Sequence, residues 1–164
     1  MKPYLIFKTA ACCIGIFGAV AFLSSCKKEK ADTNAGNLAA AKPDIQRIWE
    51  CHNRNNQYPS QITARIEGTW VWQSRHCGST ASTTIANKHV VVTFNDGGLY
   101  KVFESSRLVS EGSWSLQQDG TTGSWIINTS SSTPYLHGYV LICDGEALFY
   151  SGYIDGGDDY FVKD

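Results

Sequence analysis

Six cysteines and four histidines are the residues of this chain best suited to nucleophilic, redox or metal chemistry. His52, His76, His89 and His137 fall at no metal-ligand spacing and are expected as surface or turn residues. His76 stands next to Cys77, but neighbours along an extended chain point to opposite faces, so adjacency argues against a Cys-His nucleophile. Asp155, Asp158 and Asp159 surround two glycines. The cluster offers fewer than the about six to eight oxygens that calcium takes, and an ordinary hairpin turn is expected there. Glu104 and Glu111 would lie close across a hairpin, as paired carboxylates for sugar hydrolysis do, yet on a polar outward face solvated charge is the expectation. The sequence contains no nucleophile-base-orienter set and no glycine-rich phosphate loop. The reading is a non-enzyme without cofactor or metal.

The elements that would carry these residues are mostly strands. Asp-Gly pairs at Asp96-Gly97, Asp119-Gly120, Asp144-Gly145 and Asp155-Gly156 separate runs rich in β-branched and aromatic residues, and such pairs tolerate the positive φ of tight turns. Ser105-Ser106 and the stretch from Ser130 to Pro134 mark two further turns. Strands follow near residues 68–75, 87–95, 99–104, 107–117, 123–129, 136–143, 146–154 and 158–163. Eight strands joined by short turns predict an all-β, antiparallel, up-and-down barrel, since closure removes exposed edges. Two helical segments precede it. Ile45, Ile48 and Trp49 stand at helical spacing, and a short turn is expected over Ser60 to Ile66 with Ser60 as N-cap. In the fourth strand Leu108, Ser110, Gly112, Trp114 and Leu116 share one face, Trp70 with Trp72 and Val90 with Val92 and Phe94 do the same, and Leu148, Tyr150, Gly152 and Ile154 line up in the seventh.

The segment Ile66-Glu67-Gly68-Thr69-Trp70-Val71-Trp72, a helix running into Gly-x-Trp, resembles the opening of lipocalin-like domains. The hairpin Thr93-Phe94-Asn95-Asp96-Gly97-Gly98-Leu99-Tyr100, the Val109-Ser110-Glu111-Gly112-Ser113-Trp114 entry to the fourth strand and the ending from Tyr153 to Lys163 are similar to those of small lipocalin-like lipoproteins of Gram-negative bacteria. The likeness covers about residues 62–164. It implies a calycin-type barrel with a basic residue over the first-strand tryptophan, a place only Lys163 can take. The sixth-to-seventh hairpin, Cys143-Asp144-Gly145-Glu146, departs from the family's Thr-Asp-Tyr.

The N-terminus resembles a type II lipoprotein signal. Lys2 and Lys8 precede an apolar run that closes on Leu23-Ser24-Ser25-Cys26, a lipobox in which Cys26 would take the lipid. The expected division is a signal peptide over residues 1–25, lipidated Cys26 with a flexible linker over 26–43, and the barrel domain over 44–164. Loss of residues 1–25 leaves twelve basic against fifteen acidic side chains, which argues against a nucleic-acid partner. Membrane association would come through the N-terminal lipid, at the outer membrane of the cell envelope on its periplasmic or surface face. Cys51, Cys77 and Cys143 then remain in a disulfide-permissive compartment. In an up-and-down meander the sixth strand ends at the bottom, near the lead-in that carries Cys51, whereas Cys77 sits at the top. A Cys51–Cys143 bridge is expected with Cys77 free; the alternative, Cys77–Cys143, requires a different strand order.

An eight-stranded barrel is wide enough either for its own side chains or for one small ligand. The candidate lining is Trp72, Val92, Tyr100, Val102, Trp114 and Tyr150, with Gly112 and Gly152 removing volume or marking bends. The leading expectation is a membrane-anchored protein that binds a small hydrophobic or amphipathic ligand in or at the barrel mouth. The alternative is a filled barrel acting as an interaction module toward a protein or glycan partner. Its sequence support is the tether and the Lys27-Lys28-Glu29-Lys30 run that resembles surface-export signals; an exposed aromatic patch around Tyr135 and His137 would favour it over internal capture.

Overall fold

The structure is a computed structural model that describes residues 43–55, 58–152 and 156–164. The signal, Cys26, the linker to residue 42 and Asp155 lie outside the described residues. The described residues open with two helices, α1 (Ile45–Asn55) and α2 (Pro59–Ile66). Asp44 opens α1 by accepting the Arg47 amide on Oδ1 at 3.0 Å. The second helix begins one residue before the expected cap: Tyr58 is the N-cap and Pro59 occupies the first turn. Proline has a φ already set for a helix and no amide left wanting a partner, so it starts the helix rather than preceding it.

Nine strands follow: β1 (Gly68–Cys77), β2 (Ser82–Ile85), β3 (Val90–Asn95), β4 (Leu99–Glu104), β5 (Arg107–Gln118), β6 (Trp125–Thr129), β7 (Tyr139–Cys143), β8 (Glu146–Tyr150) and β9 (Gly157–Lys163). β1 pairs β9 along one edge; along the other it pairs β2 in its upper half and β3 in its lower half. β2 and β3 are thus two halves of one descending stave. Every other strand pairs its sequence neighbour antiparallel, which closes an eight-stave up-and-down barrel. Two hairpins turn in two residues of positive φ, Ser105-Ser106 and Asp144-Gly145. No helix among the described residues is long and apolar enough to cross a membrane.

Inward parity places Trp70, Trp72, Val92, Phe94, Tyr100, Val102, Trp114, Phe149 and Phe161 in one buried cluster, which Ile62 and Ile66 of α2 join from the bottom. Trp70 donates from Nε1 to the Ile66 carbonyl at 2.6 Å, and the Lys163 ammonium lies 5.2 Å from the Trp70 ring centroid. Lys163 also donates to the Arg65 carbonyl at 3.1 Å, so strand end, tryptophan and helix are tied together.

Helix α1 lies outside, against β7, β8 and β9, where Ile48, Leu141, Leu148 and Tyr160 form a second buried cluster. Cys51 and Cys143 form a disulfide there, with Cα atoms 5.6 Å apart. Cys77 is disulfide-bonded and not the free thiol expected. His52 is buried rather than on the surface, and its Nδ1 accepts the Ile142 amide at 3.0 Å. That bond has a structural reason. β7 meets β6 through one ladder pair, Ile126 with Tyr139, and the helix supplies an acceptor where the neighbouring strand does not.

Candidate binding site at the barrel mouth

The bore is crossed by aromatic rings. Phe94 stands edge-on to Trp114 at 5.5 Å and stacks on Phe149 at 6.3 Å, and Phe149 meets Phe161 at 5.5 Å. Phe94 and Phe149 belong to β3 and β8, staves well separated around the ring, so this level of the barrel is occupied from side to side. The Trp114 ring in this layer carries an unmatched donor. Trp114 is 8 % exposed, and its indole N–H has no hydrogen-bond partner among the described residues. A buried N–H in apolar surroundings without an acceptor costs about 1–3 kcal/mol.

The top of the barrel is covered by residues 130–138, a strap that leaves β6, crosses the mouth and enters β7. Ser130 accepts the Ser113 amide on Oγ at 2.9 Å, and Tyr100 donates its hydroxyl to the Ser131 carbonyl at 2.8 Å. Gly112 makes this crossing possible, because a Cβ there would overlap Ser130 Oγ and approach Ser131 Oγ to 3.2 Å. The volume that Gly112 leaves is therefore filled by the strap. Further along, Tyr135 and Leu136 drop into the core, with the Tyr135 ring edge-on to Trp72 at 5.6 Å.

Tyr135 is latched at its far end. Its hydroxyl donates to Glu104 Oε1 at 2.6 Å, and Lys88 Nζ lies 3.0 Å from the same oxygen. Burial alone would raise the Glu104 carboxyl, but the hydrogen bonds from Tyr135 and Lys88 outweigh it and hold its pKa below the usual range. Burial and the carboxylate together push the Tyr135 phenol up to about 12. Arg75 and Lys88 flank the ring, with cationic centres 5.8 and 5.7 Å from its centroid.

Arg75 reaches the mouth because the β1–β9 register shifts between Trp72 and Ser74. Such a bulge reverses the side-chain parity beyond it. Arg75 turns inward to Asp159, donating from Nε to Oδ1 at 3.0 Å and from Nη2 to Oδ2 at 2.8 Å, while Trp72 Nε1 donates to Oδ1 at 2.9 Å. Asp159 is fully buried, and that burial pushes its carboxyl up to about 7 against the opposing pull of Arg75 and Trp72. Arg75 Nη2 also donates to the Pro134 carbonyl of the strap. Gly157 gives the arginine stem room, since a Cβ there would stand 2.6 Å from Arg75 Cδ. His137 ends the strap against β9, with Nε2 3.2 Å from the Gly157 carbonyl, and burial lowers its pKa.

Five of the six expected lining residues, Trp72, Val92, Tyr100, Val102 and Trp114, lie together in the bore. Tyr150 does not. It faces outward, 6.1 Å edge-on to Trp49 of α1, because Ala147 and Phe149 take the inward parity of β8. Leu108 is likewise outside and 42 % exposed, since the β4–β5 register shifts opposite Val102 and Phe103. Tyr135 is 3 % exposed, so the aromatic patch expected around it is part of the core. Glu111 faces Lys101 and Glu104 faces Arg107, which separates the two carboxylates considered as a pair. Asp158 accepts the Ser151 and Gly152 amides at 2.9 and 2.8 Å, and Asp159 points the other way, so the two do not converge on a cation. The group of Cys51, Cys143 and Asp144 is close enough for a metal, but its sulfurs are spent in the disulfide. Sequence parity missed the Arg75–Asp159 pair and the strap; nothing in the residue types around Gln73 announces the bulge. Comparison of the chain with protein-family models, curated proteins and solved structures finds no match.

Proposed function

We propose that the protein is a lipid-anchored, lipocalin-like lipoprotein of the outer membrane that holds a small amphipathic molecule at the mouth of its barrel without chemistry. The observation that carries this reading is the buried Trp114 indole N–H without an acceptor among the described residues, in the core cluster that also holds Trp72, Tyr100 and Val102. A guest with a carbonyl or carboxylate oxygen would satisfy it. The closed barrel and the Lys163–Trp70 contact support the lipocalin-like character, and the Leu23-Ser24-Ser25-Cys26 sequence supports the anchor.

Titration with a dansyl-labelled undecanoic acid tests the binding. A saturable fluorescence rise that weakens in Trp114→Phe is the expected result, and a signal that never saturates rejects the mouth as a site. For the anchor, Cys26→Ser is expected to release the protein from the membrane fraction. A second reading, a filled barrel that recognises a protein or glycan through its exterior, is favoured by the Phe94–Phe149 contact across the bore. It predicts no saturable probe binding at all.

A further inference from the structure

We infer that the strap over residues 130–138 is a lid that opens as a unit while the staves stay paired, and that it admits a single-chain amphiphile carrying a carbonyl or carboxylate oxygen. The inference rests on the mouth-binding reading and adds the route by which a closed barrel is loaded. Tyr135 and Leu136 are the parts of the upper core that the strap, not a stave, supplies. Lifting the strap withdraws both side chains and takes Ser130 and Ser131 off Gly112. The space this opens is bounded by Trp72, Tyr100 and Gly112. Trp114 lies two positions below Gly112 on the same face of β5, about 7 Å away. An entering chain would meet the Tyr100 hydroxyl, freed from the Ser131 carbonyl, and beyond it the unmatched Trp114 indole N–H.

The fastenings suit a lid. Apart from the Tyr135 and Leu136 side chains, they are hydrogen bonds at the rim. Tyr100 holds the Ser131 carbonyl, Arg75 the Pro134 carbonyl, and Glu104 the Tyr135 hydroxyl. Arg75 and Glu104 each keep a second partner when the strap leaves, Asp159 and Lys88 respectively, so opening strands neither charge. The strap end is fixed at Gly138, whose φ is +81° and where a Cβ would overlap the Tyr150 carbonyl, so movement pivots there and at Thr129, where β6 ends.

Hydrogen exchange on the full-length protein in detergent tests the lid. Amides of residues 131–137 are expected to exchange faster than those of β3, β4 and β8. Tyr135→Phe removes one hydrogen bond to a charged acceptor and keeps the ring, so it is expected to speed strap exchange about tenfold or more with strand amides unchanged. Glu104→Gln serves as the second variant, with the same direction expected. Strap amides that exchange together with the strands in all three proteins overturn the lid. The dansyl-undecanoate probe reads the other half. Entry about tenfold faster in Tyr135→Phe supports gating, and equal entry rates in all three proteins overturn it. Because exchange is read without probe, a strap that opens in a protein that binds no amphiphile supports the lid and overturns the mouth-binding reading.

Discussion

Replacing both Cys51 and Cys143 by alanine isolates what the crosslink contributes to the fold. The bridge joins positions 92 residues apart, and on the chain-entropy account closing a loop of that length removes about 15.6 cal/mol/K from the unfolded state, or about 4.6 kcal/mol at 25 °C. A domain of this size has about 5–15 kcal/mol in all, so the variant should sit near the edge of stability. It should still fold. Ile48 remains buried against Leu141 and Leu148, and His52 still accepts the Ile142 amide. Double substitution is preferable to reduction, because a reductant acts on every disulfide at once and does not isolate this one. Guanidinium unfolding followed by circular dichroism supplies the assay, with parent and variant compared at equal ionic strength. A loss between about 3 and 5 kcal/mol is expected. A loss below about 1 kcal/mol would mean that α1 is held to β7 in the unfolded ensemble without the bridge, and the entropic reasoning would be wrong.

Three other outcomes follow from the geometry. Burial lowers the His52 pKa to about 4, below its value in the unfolded chain, so the unfolded state takes up a proton first as pH falls. The stability this histidine supports is complete above about pH 6.5 and shrinks by about 3 kcal/mol on the way down to pH 4, and the loss should vanish in His52→Gln when melts are recorded across that range. Arg75→Met leaves the Asp159 carboxylate buried without its cation and should cost about 3–5 kcal/mol, whereas Arg75→Met with Asp159→Leu should recover most of it; equal losses in single and double variants would contradict the pairing. Gly138→Ala sets a Cβ against the Tyr150 carbonyl at positive φ, so a loss of about 2 kcal/mol or more is expected in denaturant unfolding, and a neutral result would show that the strap end is not clamped.

Residue patterns disclosed the staves and withheld the places where alternation breaks. Trp70 with Trp72, and Val90 with Val92 and Phe94, point inward as period two requires, because each pair lies in an unbroken ladder. The Cys51–Cys143 bridge was legible for the same reason: an up-and-down order fixes which strand ends share the barrel floor. Beyond Gln73 the pattern fails. A bulge moves Arg75 inward, and a surface arginine looks the same in sequence as one aimed at a buried carboxylate. Tyr150 was misplaced because β8 is apolar on both faces, one toward the bore and one under α1, so alternation carries no signal there. In sequence the strap is indistinguishable from a plain turn, since Ser130, Ser131 and Ser132 say nothing of the Tyr135 and Leu136 that follow them into the core. His52 was placed at the surface because a lone histidine on a helix gives no sign that a strand amide across from it needs an acceptor.

The five tryptophan indole N–H signals in a two-dimensional proton–nitrogen NMR spectrum, followed during titration with dansyl-undecanoate, test the central claim most directly. The Trp114 resonance is expected to move downfield as its N–H gains an acceptor, while Trp70, already bonded to the Ile66 carbonyl at the barrel floor, holds its position. A Trp114 signal that stays fixed while the probe binds would contradict that claim.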